Sequence, residues 1–231
     1  MRRRLNPDFF GAAGRGVCDK LRMFSLQQLL GKGDKFFGLL EASAEEAHAS
    51  ARALAQTLRE PGTPAALEDF VLMRRKEKRI AEEIGAELVR TFVTGLDRED
   101  IEALAHALYK IPKTVEKFAE RFNTTSAQPG QFQFGTLSDL VEKAAGTVVA
   151  MVKHLRKMPP LEVVKALNDR LQYLEGEGDR LMLEVLKDIY AGRYEPIRAM
   201  ALKDLHELLE KVIDRCRDAG IVVMHIVLKH S

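Results

Sequence analysis

The sequence has 231 residues, with 36 Lys and Arg against 34 Asp and Glu for a formal net charge of +2, a length that supports a core without covalent staples. Its only cysteines, Cys18 and Cys216, exclude a disulfide scaffold or a four-cysteine zinc site within one chain and fit a reducing compartment. No apolar run approaches the ~20 residues of a membrane span, and the near-neutral charge disfavours a nucleic-acid surface despite the basic run from Arg74 to Arg79.

Residues 1–23 hold six basic and two acidic residues. With Gly and Asn-Pro breaking any helix there, the segment reads as a disordered leader without an export signal. GKGD (31–34) then reads as a turn and cap. The first long helix is predicted over 34–58, with Phe37, Leu40, Ala44, Ala47, Ala51 and Leu54 on one stripe, ending at Pro61-Gly62. A second helix opens at Thr63-Pro64 and runs to about Phe92. The third follows Gly95, with Asp97 as cap and Glu99, Asp100 and Glu102 in the first turn, and reaches about Phe122, with Pro112 inside it.

Residues 123–135, rich in Thr, Ser, Gln and Gly, form a linker. Three further helices are predicted over 136–157, 160–191 and 196–229. Sliding the chain by 101 residues aligns the two triplets without a gap, Leu54 with Leu155, Arg79 with Arg180, Ile101 with Leu202, Leu104 with Leu205 and Ile111 with Val212. The expectation is an all-α chain of two tandem three-helix units, 24–122 and 136–231, arising by duplication.

Charged chemistry concentrates in the second unit. Glu175 and Asp179 sit four apart on one helical face, and Glu210, Asp214 and Asp218 repeat that spacing on the last helix. Facing one another, these five carboxylates would suit a hard cation, and Gly176 and Gly178 read as points of close backbone approach. The bland alternative is a solvated acidic face. His106 and His206 read as a related pair in packing or surface roles, and Cys216 as a core thiol.

TFVTGLDREDIEALAHAL (91–108), EGEGDRLMLEVL (175–186) and LHELLEKVIDRCRDAGIVVMHIVLKHS (205–231) resemble the PhoU-like family, in the branch that accompanies low-affinity inorganic phosphate transporters. The resemblance covers about residues 24–230. It implies a duplicated three-helix bundle with acidic metal-binding motifs, filled by iron, zinc or manganese, carried over here to Glu175, Asp179, Glu210, Asp214 and Asp218. It also implies a non-enzymatic, self-associating regulator at the inner membrane face, in contact with a phosphate transporter or a phosphate-sensing kinase. The first unit departs from the motif. Its positions equivalent to the five acids are Arg74, Lys78, Tyr109, Lys113 and Lys117, so Arg74, Lys78, Lys110, Lys113 and Lys117 become a candidate anion-binding face. The competing function is a carboxylate-bridged metal enzyme, a phosphohydrolase or iron oxidase. No phosphate loop, dinucleotide fingerprint, zinc-protease helix or nucleophile elbow supports another catalytic class.

Overall fold

The computed structural model describes residues 15–59, 67–125 and 134–231, with the backbone alone for 15–33. It contains six helices: α1 (Arg15–Arg59), α2 (Leu67–Arg90), α3 (Arg98–Thr125), α4 (Gly135–Leu155), α5 (Leu161–Tyr190) and α6 (Pro196–Lys229). No strand occurs among the described residues. The predicted α6 matches to the residue, and α3, α4 and α5 lie within three residues of expectation at each end.

The first helix is the exception. It begins at Arg15 and passes through Gly31 and Gly33 as helix, so GKGD is neither turn nor cap and the expected disordered leader is helical from Arg15. Each glycine costs a helix only ~1 kcal/mol relative to Ala, too little to end one flanked by good helix formers. Pro112 likewise leaves α3 continuous, buried within it. The Pro61-Gly62 turn, the Thr63-Pro64 cap and most of the linker lie outside the described residues.

Ends are set by local chemistry. Gly192 takes φ 72° after α5, and the amides of Gly192 and Arg193 turn back to the carbonyls of Ile189 and Asp188 at 3.0 and 3.2 Å. These two hydrogen bonds close the helix in a left-handed turn that glycine adopts freely. At the α2–α3 turn the Arg98 guanidinium donates to the carbonyl of Leu88 at 2.6 Å and to that of Thr91, satisfying acceptors the helix end leaves open.

Within each half all three helices touch one another, and between halves α1 packs on α4 and α3 on α6. The four helices α1, α3, α6 and α4 therefore form a ring, with α2 and α5 on its flanks. Exchanging the halves reproduces every one of these contacts, which is the arrangement a tandem duplication leaves. Both inter-half pairs are antiparallel. Arg59 at the end of α1 bonds Asp139 and Glu142 early in α4 at 2.6 and 2.8 Å, while Arg156 after α4 bonds Glu41 on α1 at 2.9 Å. Lys229 at the end of α6 reaches Asp100 at the start of α3 at 2.7 Å.

One apolar core runs through the ring. Leu40, Leu54, Ile101, Leu104, Leu108, Leu155, Leu205 and Leu209 are fully buried in it, each burial contributing ~1.5–3 kcal/mol. Equivalent residues are buried together: Leu54 with Leu155, Phe70 with Leu171, Ile101 with Leu202, Val115 with Cys216. Phe36, rather than the predicted Phe37, occupies the core at the head of the stripe. No helix among the described residues is long and apolar enough to cross a membrane.

Candidate functional site

The acidic face of α5 and α6 divides into two parts. Glu175 accepts a hydrogen bond from Arg217 at 3.2 Å, and Arg217 also donates to Asn168 at 3.0 Å. Asp218 is held by Arg215 at 2.6 Å. These two acids are thus already neutralised by partners. Glu210 and Asp214 hydrogen-bond each other and lie near Asp179. Partial burial, then the charges of Asp214 and Asp179, push the Glu210 carboxyl up to about 7, against the opposing charge of Lys211. Lys211 also reaches Asp214 at 3.2 Å.

The five carboxylates therefore do not converge as one donor set. Among the described residues no group of three or more His, Cys, Asp or Glu side chains is arranged to hold a metal ion. Oxygen donors of the right chemistry remain in Asp179, Glu210 and Asp214, but Asp179 is exposed and would have to swing onto the other two. As folded, a proton on Glu210 relieves the repulsion that a cation would otherwise neutralise.

The glycines have different roles. A Cβ on Gly176 would meet nothing within 4 Å, whereas one on Gly178 would lie 3.1 Å from Cδ1 of Ile213. Close approach is confined to Gly178, where it serves the packing of α5 on α6.

In the first half Arg74 forms an ion pair with Glu116 and donates to the Tyr109 hydroxyl at 3.4 Å. Lys78 meets Glu82 at 3.5 Å, and Lys113 stands over the Tyr109 ring, 5.8 Å from its centre. Lys110 and Lys117 have no ion-pair partner among the described residues. Applying the 101-residue offset to both partners, Arg74–Glu116 becomes Glu175–Arg217. The duplicated halves keep the same bridge with its charges exchanged. The basic replacement of Glu175 by Arg74 is one end of a compensated pair, a signal present in the sequence at Glu116 and Arg217.

Sequence reasoning also missed Glu77. Its side chain is fully buried between α1 and α2, where Ser43 Oγ donates to Oε1 at 2.7 Å and Oε2 has no partner. Burial pushes this carboxyl up to about 7, the Ser43 hydrogen bond opposing and the Glu46 charge adding. Glu46 is itself buried and paired to Lys76. His106 and His206 are one position out of register at the 101-residue offset, and they differ accordingly. His106 is exposed, while His206 is buried, its Nδ1 2.8 Å from the Leu202 carbonyl and its ring 4.9 Å from that of Phe134. Cys216 is buried as expected, its thiol pushed up by loss of solvent.

Two crystal structures of proteins from Shewanella oneidensis MR-1 share this arrangement of helices. One is a PhoU-like protein, with a TM-score of 0.70, 17% identity and coverage of 84% of this chain and 99% of its own. The chain has the PhoU-like fold. A second PhoU-like structure, described as a "putative PhoU-like phosphate regulatory protein", superposes with a TM-score of 0.67 at the same 17% identity and the same coverage. Among curated proteins, the "Putative pit accessory protein" of Rhizobium meliloti (strain 1021) is 24% identical over 215 residues, 88% of this chain and 97% of that protein. The "UPF0111 protein YkaA" of Bacillus subtilis (strain 168) is 21% identical over 145 residues, 63% of this chain and 70% of that protein. No family model matches the chain. The PhoU-like resemblance read from three sequence segments is borne out by these relatives.

Proposed function

We propose that the protein is a non-enzymatic regulator of inorganic phosphate transport that acts by contact with a low-affinity transporter at the inner membrane face. The observation that carries this reading is the alignment with the "Putative pit accessory protein" along 97% of that protein's length, on a fold shared with the "putative PhoU-like phosphate regulatory protein". Exposed apolar side chains at both helical tips support a contact mechanism. Val89 and Phe92 at the α2–α3 tip are 87% and 94% exposed, and Tyr190 and Ile197 at the α5–α6 tip 83% and 80%. Because α3 and α6 are antiparallel, the tips stand at opposite ends of the bundle and offer two contacts, one for the transporter and one for a second copy. A metal cation such as iron, zinc or manganese would be carried by Asp179, Glu210 and Asp214, not by all five acids.

The test is co-purification of the untagged protein with the transporter encoded in the same cell, with metal content measured on the same samples. The reading predicts a complex that Phe92→Ser weakens. It also predicts that any stoichiometric metal is lost on Asp179→Ala with Asp214→Ala. Turnover of phosphate esters or oxidation of ferrous iron by the pure protein, abolished by those substitutions, would replace it with the metal-enzyme reading.

A further inference from the structure

On the side of the bundle away from the α5–α6 acids, helices α1, α4 and α5 enclose an open cleft of about 440 Å³. Its cationic wall comes from three elements: His48 and Arg59 on α1, Lys143 on α4 and Arg170 on α5. Its floor is small, formed by Gly146 and Ala150 with Leu167 beside them. Gly146 lies against His48 in this lining, a Cβ there standing 3.4 Å from Nε2, so a side chain larger than alanine would crowd the ring. A mid-helix glycine costs ~1 kcal/mol, and the three atoms nearest to a Cβ there all belong to His48, across the packing of α1 on α4.

The acids lining the cleft, Asp139 and Glu142, are both bound to Arg59. Lys143 and Arg170 have no ion-pair partner among the described residues, although both have carboxylates elsewhere on their own helices. The cleft is also specific to this half. At the 101-residue offset His48, Lys143 and Arg170 correspond to Val149, Ala42 and Asp69, while Glu142 and Gly146 correspond to Glu41 and Glu45, which are paired with Arg156 and Lys153.

We propose that this cleft binds a multivalent phosphate anion, gripped by Lys143 and Arg170 and hydrogen-bonded by His48. Two unpaired cations in an open, solvated site give little hold on a monoanion, because exposed charge pairs are weak. They act together on a ligand bearing several charges, and the planar guanidinium of Arg170 suits phosphate oxygens. The volume exceeds that of orthophosphate and accommodates pyrophosphate or the phosphates of a nucleotide, within the usual size range of ligand pockets.

Isothermal titration of the full chain at low ionic strength tests this with inorganic phosphate, pyrophosphate, ADP and sulfate. One pyrophosphate should bind per chain, more tightly than orthophosphate, and the Lys143→Ala, Arg170→Ala variant should weaken it at least tenfold. Both residues are exposed and unpaired, so the variant keeps its fold, and Lys157→Ala, removing an exposed charge elsewhere, should change binding less than twofold. Tighter binding of ADP than of pyrophosphate would identify a nucleotide as the source of the phosphates, and the reverse a free polyanion. The proposal is overturned by absence of saturable binding, by equal loss in the Lys157 control, or by sulfate binding as tightly as pyrophosphate.

Discussion

Glu77 shows how one side chain couples the bundle to pH. Folded, it keeps its proton to about pH 7, whereas its ordinary value is 4.5. Between those values the folded state binds the extra proton, so stability is full below the lower value, falls as pH rises and levels off above the upper one. The shift corresponds to about 3 kcal/mol at this single site. Urea denaturation of the wild type should therefore show stability falling from pH 5 to pH 8, and in Glu77→Gln that fall should shrink by about 2–3 kcal/mol. Parallel pH profiles in the two proteins would remove the assignment. Glu210 acts in the same direction, but partial exposure makes its contribution smaller. None of this was legible beforehand, because Lys76-Glu77-Lys78 reads as a solvated charge run. Only the seven-residue spacing of Phe70, Glu77 and Ile84, all buried, places the carboxyl on the inner face.

At the scale of the element, glycines separate packing from propensity. A Cβ at Gly220 on α6 would collide with Cδ1 of Leu171 and stand 3.4 Å from Sδ of Met151, both in the buried core. Gly220→Ala should lower stability by about 1–3 kcal/mol through overpacking, net of a gain in helix propensity. Gly176→Ala, which meets open space, should raise stability by about 1 kcal/mol. Thermal melts of the two variants check both signs, and melting shifts in the same direction would show that the α5–α6 contact is looser than described. Helix positions themselves were readable from 3.6-residue periodicity and from boundary signals such as Gly95 and the Asp97 cap. The start of α1 was not, since isolated glycines weaken a helix without ending it.

Across the whole molecule, the ring α1–α3–α6–α4 makes each half the completion of the other. Separated at the segment after α3, the first half would expose the faces of α1 and α3 that bury Leu40, Ala51, Leu108 and Phe118, an apolar area no small soluble domain leaves open. Residues 1–125 expressed alone should self-associate or fail to unfold cooperatively, as sedimentation and denaturation will show. A monomer with a sharp transition would mean that the halves are independent domains. The sequence alone determined the helix count, the tandem repeat and the resemblance to the PhoU-like proteins, because periodicity, caps and the 101-residue offset are written within or between short stretches of chain. Tertiary structure alone decided which charges meet. Successive residues point about 100° apart around a helix, so the rotation of each helix against its neighbours sends Glu175 to Arg217, sinks Glu77 out of water and leaves Lys143 and Arg170 facing an open cleft.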